Sequence, residues 1–138
     1  MRLAELFSER GSDARITLAK SGNEIVELAR RAARDDCHTV IAGGGDGTIN
    51  AVASAVVGTD KRLGVLPLGT LNHFAKDLKI PLDLEGAVSN IFDAHVARVD
   101  VGEVNGRIFL NNSSLGLYPS IVRQREKQQE RLGRGKWP

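Results

Sequence analysis

The residues best suited to chemistry are Gly43-Gly44-Gly45-Asp46-Gly47-Thr48. They directly follow Thr39-Val40-Ile41-Ala42, an apolar run too short for a helix and typical of a buried parallel strand. Glycines packed this densely at the carboxyl end of a strand let the backbone turn sharply and come close to a ligand. Their N–H groups and the N-terminus of the following helix then point at an anion. Phosphate is the natural guest. The two common phosphate fingerprints do not fit, because a dinucleotide G-x-G-x-x-G would need glycine or alanine at Thr48 or at Asn50, and a Walker loop would need lysine after its last glycine. Asp46 is the unusual member. A carboxylate among phosphate-cradling amides repels the ligand unless it binds Mg²⁺, takes a proton or holds the loop. The alternative is a purely structural glycine turn whose aspartate caps a helix.

Pro67-Leu68-Gly69-Thr70-Leu71-Asn72 repeats the same logic of strand, glycine turn, hydroxyl and helix start. Two such turns at the carboxyl ends of two parallel strands would share one edge of the sheet, where open α/β folds bind their ligands. Either turn alone is weak evidence, and together they are much stronger.

The surrounding elements support that placement. Leu3, Leu6 and Phe7 fall at helical spacing and Gly11 closes that helix; Ala14 to Leu18 alternates like a short strand. Ser21-Gly22-Asn23-Glu24 reads as a capping box, with Ile25, Leu28, Ala29, Ala32 and Ala33 on one helical face behind it. A helix over 49–57 ends at Gly58, a buried strand over 63–66 stops at Pro67, and further helices are expected over 71–78 and 84–94, the last with Ala87, Val88, Ile91 and Phe92 inward. Strands alternating with helices imply a parallel sheet with crossover helices, hence an α/β, three-layer domain over 1–94. From His95 the pattern changes: 96–104 and 107–112 flank Asn105-Gly106, the strongest short hairpin signal. Residues 95–138 therefore read as a crossover hairpin and the beginning of a β-rich second domain. Too few residues follow for a domain of the usual ~50 or more, and the chain opens on a helix where an α/β unit normally opens on a strand, so truncation at both ends is expected.

The composition narrows the function. The chain has 138 residues, 41% apolar and 26% charged, with one cysteine, Cys37, which excludes a disulfide scaffold and suggests a reducing, cytoplasmic setting. No apolar run approaches the roughly 20 residues of a transmembrane helix. Net charge is +2, but Arg123, Arg125, Lys127, Arg131, Arg134 and Lys136 all lie after Pro119, leaving the body mildly acidic. With 4% aromatic residues, that body is not a nucleic-acid reader. The basic tail reads as a solvated helix face, with an anionic-membrane contact as the weaker alternative. Cys37, His38 and His95 lack metal-ligand spacing, and Asp77 and Asp100 read as capping or surface residues.

Gly44-Gly45-Asp46-Gly47-Thr48-Ile49-Asn50, followed about twenty residues later by Leu66-Pro67-Leu68-Gly69-Thr70-Leu71-Asn72-His73-Phe74-Ala75, resembles the catalytic region of the diacylglycerol kinase family. That family includes bacterial lipid kinases and is related to sphingosine kinases and, more remotely, NAD kinases. The resemblance implies that residues 1–94 form a nucleotide-binding domain, that Gly44, Gly45, Asp46, Gly47, Thr48 and Asn50 bind the ATP phosphates, that Gly69, Thr70 and Asn72 complete the nucleotide site, and that Thr17 matches a strand-end threonine that touches nucleotide. It also implies ATP and Mg²⁺ as cofactors, Asp46 as the catalytic residue of this chain, and transfer of the γ-phosphoryl group to a lipid hydroxyl at a membrane surface. A cytoplasmic protein in transient peripheral membrane contact follows, and a homodimer is open. Where the family usually has aspartate after the second asparagine, this chain has His73. The general base and the metal ligands are expected in the β-rich domain, so residues 1–138 alone are expected to be inactive. An NAD kinase-like enzyme and a non-catalytic nucleotide-binding module are the alternatives.

Overall fold

In a computed structural model, which describes residues 1–93 and 95–110, the glycine turns leave the centre of a layered α/β arrangement. Residues 111–138, with the basic tail and the end of the expected second hairpin strand, lie outside the described residues, as does Ala94.

Helix α1 (Arg2–Glu9) ends as its sequence suggests. Gly11 adopts φ +68°, and the Gly11 and Ser12 amides donate to the Ser8 and Phe7 carbonyls, a Schellman closure. Helix α2 (Gly22–Arg34) starts at Ser21, whose hydroxyl accepts the Glu24 amide, while the Glu24 carboxylate accepts the Lys20 amide. Both halves of the capping box form, the second displaced by one residue. Strand β1 (Thr39–Gly44), helix α3 (Asp46–Val56), strand β2 (Arg62–Pro67), the short helix α4 (His73–Asp77) and helix α5 (Leu84–Phe92) follow. A hairpin of β3 (Gly102–Val104) and β4 (Arg107–Phe109) comes last.

β1 and β2 pair in parallel, with Val40 opposite Leu63 and Ala42 opposite Val65. Side chains alternate across a strand, so the pair has two buried faces. Val40, Ala42 and Val65 pack on one face with Ala29 of α2, Ile49, Val52 and Val56 of α3, and Phe74 and Ala75 of α4. Leu66, with Ile41, packs on the other with Leu6 and Phe7 of α1 and Ala87 and Val88 of α5. The result is the expected three-layer α/β fold with a parallel sheet. Ile49, Leu66 and Val88 are the largest fully buried side chains, each contributing about 1.5–3 kcal/mol from burial.

Four sequence expectations change. Residues 14–17 alternate between half-buried and exposed, yet 14–18 form no strand and pair with none among the described residues. An alternating segment becomes a strand only where a neighbour's edge accepts its hydrogen bonds. Helix α3 begins three residues earlier than expected, at Asp46, because glycine at Gly47 is tolerated in a first turn. Helix α4 begins two residues later, at His73, because Asn72 takes the left-handed conformation at φ 51° and turns its side chain back into the preceding loop. The hairpin forms with positive φ at both Asn105 and Gly106, as a two-residue type I′ turn requires. Its first strand covers three residues rather than nine, and Val96, Val99 and Val101 before it are exposed.

Candidate functional site

β1 and β2 end level with each other, Gly44 opposite Pro67, so the two glycine turns leave the same edge side by side. They touch backbone to backbone. A Cβ added at Gly69 would lie 2.3 Å from the Gly45 Cα and 2.9 Å from its nitrogen, so only hydrogen fits there. The Leu68 amide donates to the Gly44 carbonyl at 3.1 Å. Asp46 forms the strongest link between the turns: one carboxylate oxygen accepts the His73 amide at 2.9 Å and the other the Phe74 amide at 3.0 Å. Asn72, the N-cap of α4, makes no side-chain cap of its own, so Asp46, 27 positions before His73, caps that helix. The sequence raised three reasons for a carboxylate among phosphate-binding amides, and the geometry supplies one of them: it holds the loops together.

Asn72 braces the second turn from inside. It is buried, its Oδ1 accepts the Gly69 amide at 3.0 Å, and its Nδ2 donates to the carbonyls of Gly69 at 2.8 Å and Pro67 at 3.4 Å. This network fixes Gly69 against Gly45, and a helical Asn72 could not make it.

The first turn of α3 lacks a side-chain cap. Gly47 is exposed there, and a Cβ on it would meet nothing within 4 Å. Thr48 is half-buried and leans over Gly44, where a Cβ would come within 2.8 Å of the Thr48 Cβ and Oγ1. An eleven-residue helix thus presents its positive end beside open space, with Thr70 exposed on the adjoining turn. Backbone amides at such an end can hold an anion of phosphate size.

Of the residues singled out in sequence, Gly44, Gly45, Asp46, Gly47, Thr48, Gly69, Thr70 and Asn72 fall in this one cluster. Two do not join it in the expected way. Thr17 is exposed in the 14–18 segment, and among the described residues its side chain makes no hydrogen bond. Asn50, one turn beyond Asp46 on α3, is paired with the backbone of 108–110. Sequence reasoning missed the His73 and Phe74 amides, since nothing in a residue's type marks its backbone N–H as a distant carboxylate's partner.

Among the described residues no group of three His, Cys, Asp or Glu side chains is placed to hold a metal ion. Cys37 is exposed and its thiol donates to the Ala32 carbonyl. The carboxyl of Asp35, before β1 and so at the opposite end of the sheet, is held below the usual carboxylate range by the Asp36 amide and then by Arg15. No helix of the described residues is long and apolar enough to cross a membrane.

A parallel β1–β2 pair between helical layers, with adjoining glycine turns at its carboxyl edge, defines an α/β domain of the parallel-sheet class. Residues 1–104 match the family model of the diacylglycerol kinase catalytic domain, and the chain belongs to that family. It is 38% identical to a diacylglycerol kinase of Staphylococcus epidermidis, covering 81% of this chain and 40% of that one. It is 37% identical to the diacylglycerol kinase of Staphylococcus haemolyticus, covering 81% of this chain and 38% of that one. A solved diacylglycerol kinase structure from Bacillus anthracis superposes with a TM-score of 0.68 at 30% identity, covering 79% of this chain and 37% of that one. The chain spans about two-fifths of the length of these relatives.

Proposed function

We propose that this chain is the nucleotide-binding part of an ATP-dependent lipid kinase that transfers the γ-phosphoryl group of ATP to a hydroxyl of a diacylglycerol-like lipid. The observation that carries this reading is the backbone contact between Gly45 and Gly69, which merges two glycine turns into one cradle at the carboxyl edge of the sheet. Gly44, Gly45, Gly47 and Thr48 line its first half, and Gly69 and Thr70 its second. The uncapped N-terminus of α3 supplies the positive field for the phosphates. Asp46 and Asn72 hold the two halves in register.

In phosphoryl transfer the lipid hydroxyl oxygen bonds to the γ-phosphorus as the bond to the β-bridging oxygen breaks, and the hydroxyl proton passes to a base. Catalysis is mainly positioning and charge stabilisation, which is what fixed backbone amides provide. Mg²⁺ would accompany ATP and neutralise phosphate charge. Among the described residues no group of three His, Cys, Asp or Glu side chains is placed to hold it. The base and the lipid contacts would come from the β-rich second domain that the sequence leads one to expect. Contact with the lipid would be made from the cytoplasmic side, at the membrane surface.

The test is radiolabelled ATP given to the full-length protein with diacylglycerol, sphingosine and NAD as separate acceptors. Label in the diacylglycerol product supports the proposal. Label in NAD alone, or in no acceptor with ATP bound, overturns it.

A further inference from the structure

Asn50 sits on α3 one helical turn after Asp46 and is half-buried. Its Nδ2 donates to the Ile108 carbonyl at 3.0 Å, and its Oδ1 accepts the Leu110 amide at 3.0 Å. The carbonyl of one strand residue and the amide two positions later face the same edge. Because Val104 and Arg107 flank a two-residue turn, Ile108 opposite Glu103 belongs to a non-hydrogen-bonded pair, and its carbonyl points away from β3. The Asn50 side chain therefore occupies the free edge of β4 as a neighbouring strand would. Leu110 adds to the joint by packing on the core formed by α2, α3 and β1.

We propose that Asn50 is a positioning residue rather than a nucleotide ligand: it fixes residues 108–110, where the strand leaves the hairpin, relative to the phosphate cradle. The amide reads both a carbonyl and an N–H at fixed spacing, which a carboxylate or an aliphatic side chain of similar size cannot do. Asp46 and Asn50, at i and i+4, lie on one face of the helix and divide the work. Asp46 ties α3 to the second glycine turn and Asn50 ties it to the hairpin. The consequence for turnover rests on the kinase reading above; the structural joint does not.

The test uses full-length protein carrying Asn50→Ala or Asn50→Asp. Exchange of the Leu110 amide should accelerate at least tenfold in Asn50→Ala and much less in Asn50→Asp, which keeps an acceptor for that amide, while the amides of 44–48 stay as protected as before. In the turnover assay Asn50→Ala should lower kcat at least tenfold and change KM for ATP by less than about threefold. Unchanged Leu110 exchange in Asn50→Ala would overturn the proposal. So would a tenfold rise in KM for ATP with kcat intact, the mark of a nucleotide ligand. Exchange needs no nucleotide, so an absence of kinase activity would count against the function reading and leave this result standing on its own.

Discussion

Adding a methyl group at Gly69 and at Gly47 should have opposite effects on stability and the same effect on ATP binding. A Cβ at Gly69 has 2.3 Å to the Gly45 Cα where ordinary contact begins at 3.4 Å, so the two backbones must part by about 1.1 Å. Both are main chain, held by the Leu68 amide and the Asp46 carboxylate, so no flexible side chain can absorb the shift. Overpacking of this kind costs about 1–3 kcal/mol. At roughly 4–8 °C per kcal/mol for a domain of this size, Gly69→Ala should lower the melting temperature by several degrees or more. Gly47 lies in the first turn of α3 with nothing within 4 Å of a new Cβ. Alanine favours the helix there by about 0.5–1 kcal/mol, so Gly47→Ala should melt at the wild-type temperature or slightly above. The same open space is where the phosphates would approach, so the methyl group should weaken ATP binding at least tenfold. Differential scanning fluorimetry and equilibrium ATP binding on both variants separate the cases. A Gly69→Ala protein as stable as wild type would refute the contact between the turns, and a Gly47→Ala protein that binds ATP normally would refute the placement of the phosphates.

Two further outcomes follow from the same geometry. Asp46→Ala removes two charge-assisted hydrogen bonds to the α4 amides and should destabilise the protein by about 1–2 kcal/mol while abolishing turnover, measured by thermal melting and radiolabelled transfer; an unaltered melting point would show that the bonds carry nothing. Asn72→Ala leaves the Gly69 amide without its acceptor inside the turn and should cost about 1–3 kcal/mol in a denaturant titration, with ATP binding weakened in parallel; a loss below about 0.5 kcal/mol would count against the bracing role.

Much of this was legible in the sequence because it is local. Ser21 and Glu24 signal a helix start through bonds spanning three or four residues, and Asn105-Gly106 signals a turn through backbone conformations that few other pairs adopt easily. The two glycine turns could be placed at one sheet edge because parallel strands put their carboxyl ends together. The roles of the polar residues were not legible, since their partners are distant. Asp46 reaches amides 27 and 28 residues away, and Asn50 reaches backbone 58 and 60 residues away. The residue types alone equally suited ligand binding. The 14–18 segment shows the opposite failure, an alternating pattern that pairs with no strand among the described residues.

If the paired glycine turns form one ATP phosphate cradle, both must respond to nucleotide together. Amide chemical shifts of the full-length protein, followed as ATP is titrated, report on each turn separately. The largest changes should fall together at Gly44 to Thr48 and at Gly69 and Thr70, saturating with one dissociation constant, while Leu110 and the α5 amides move little. Saturable binding that shifts neither turn, or shifts only one of them, would contradict it.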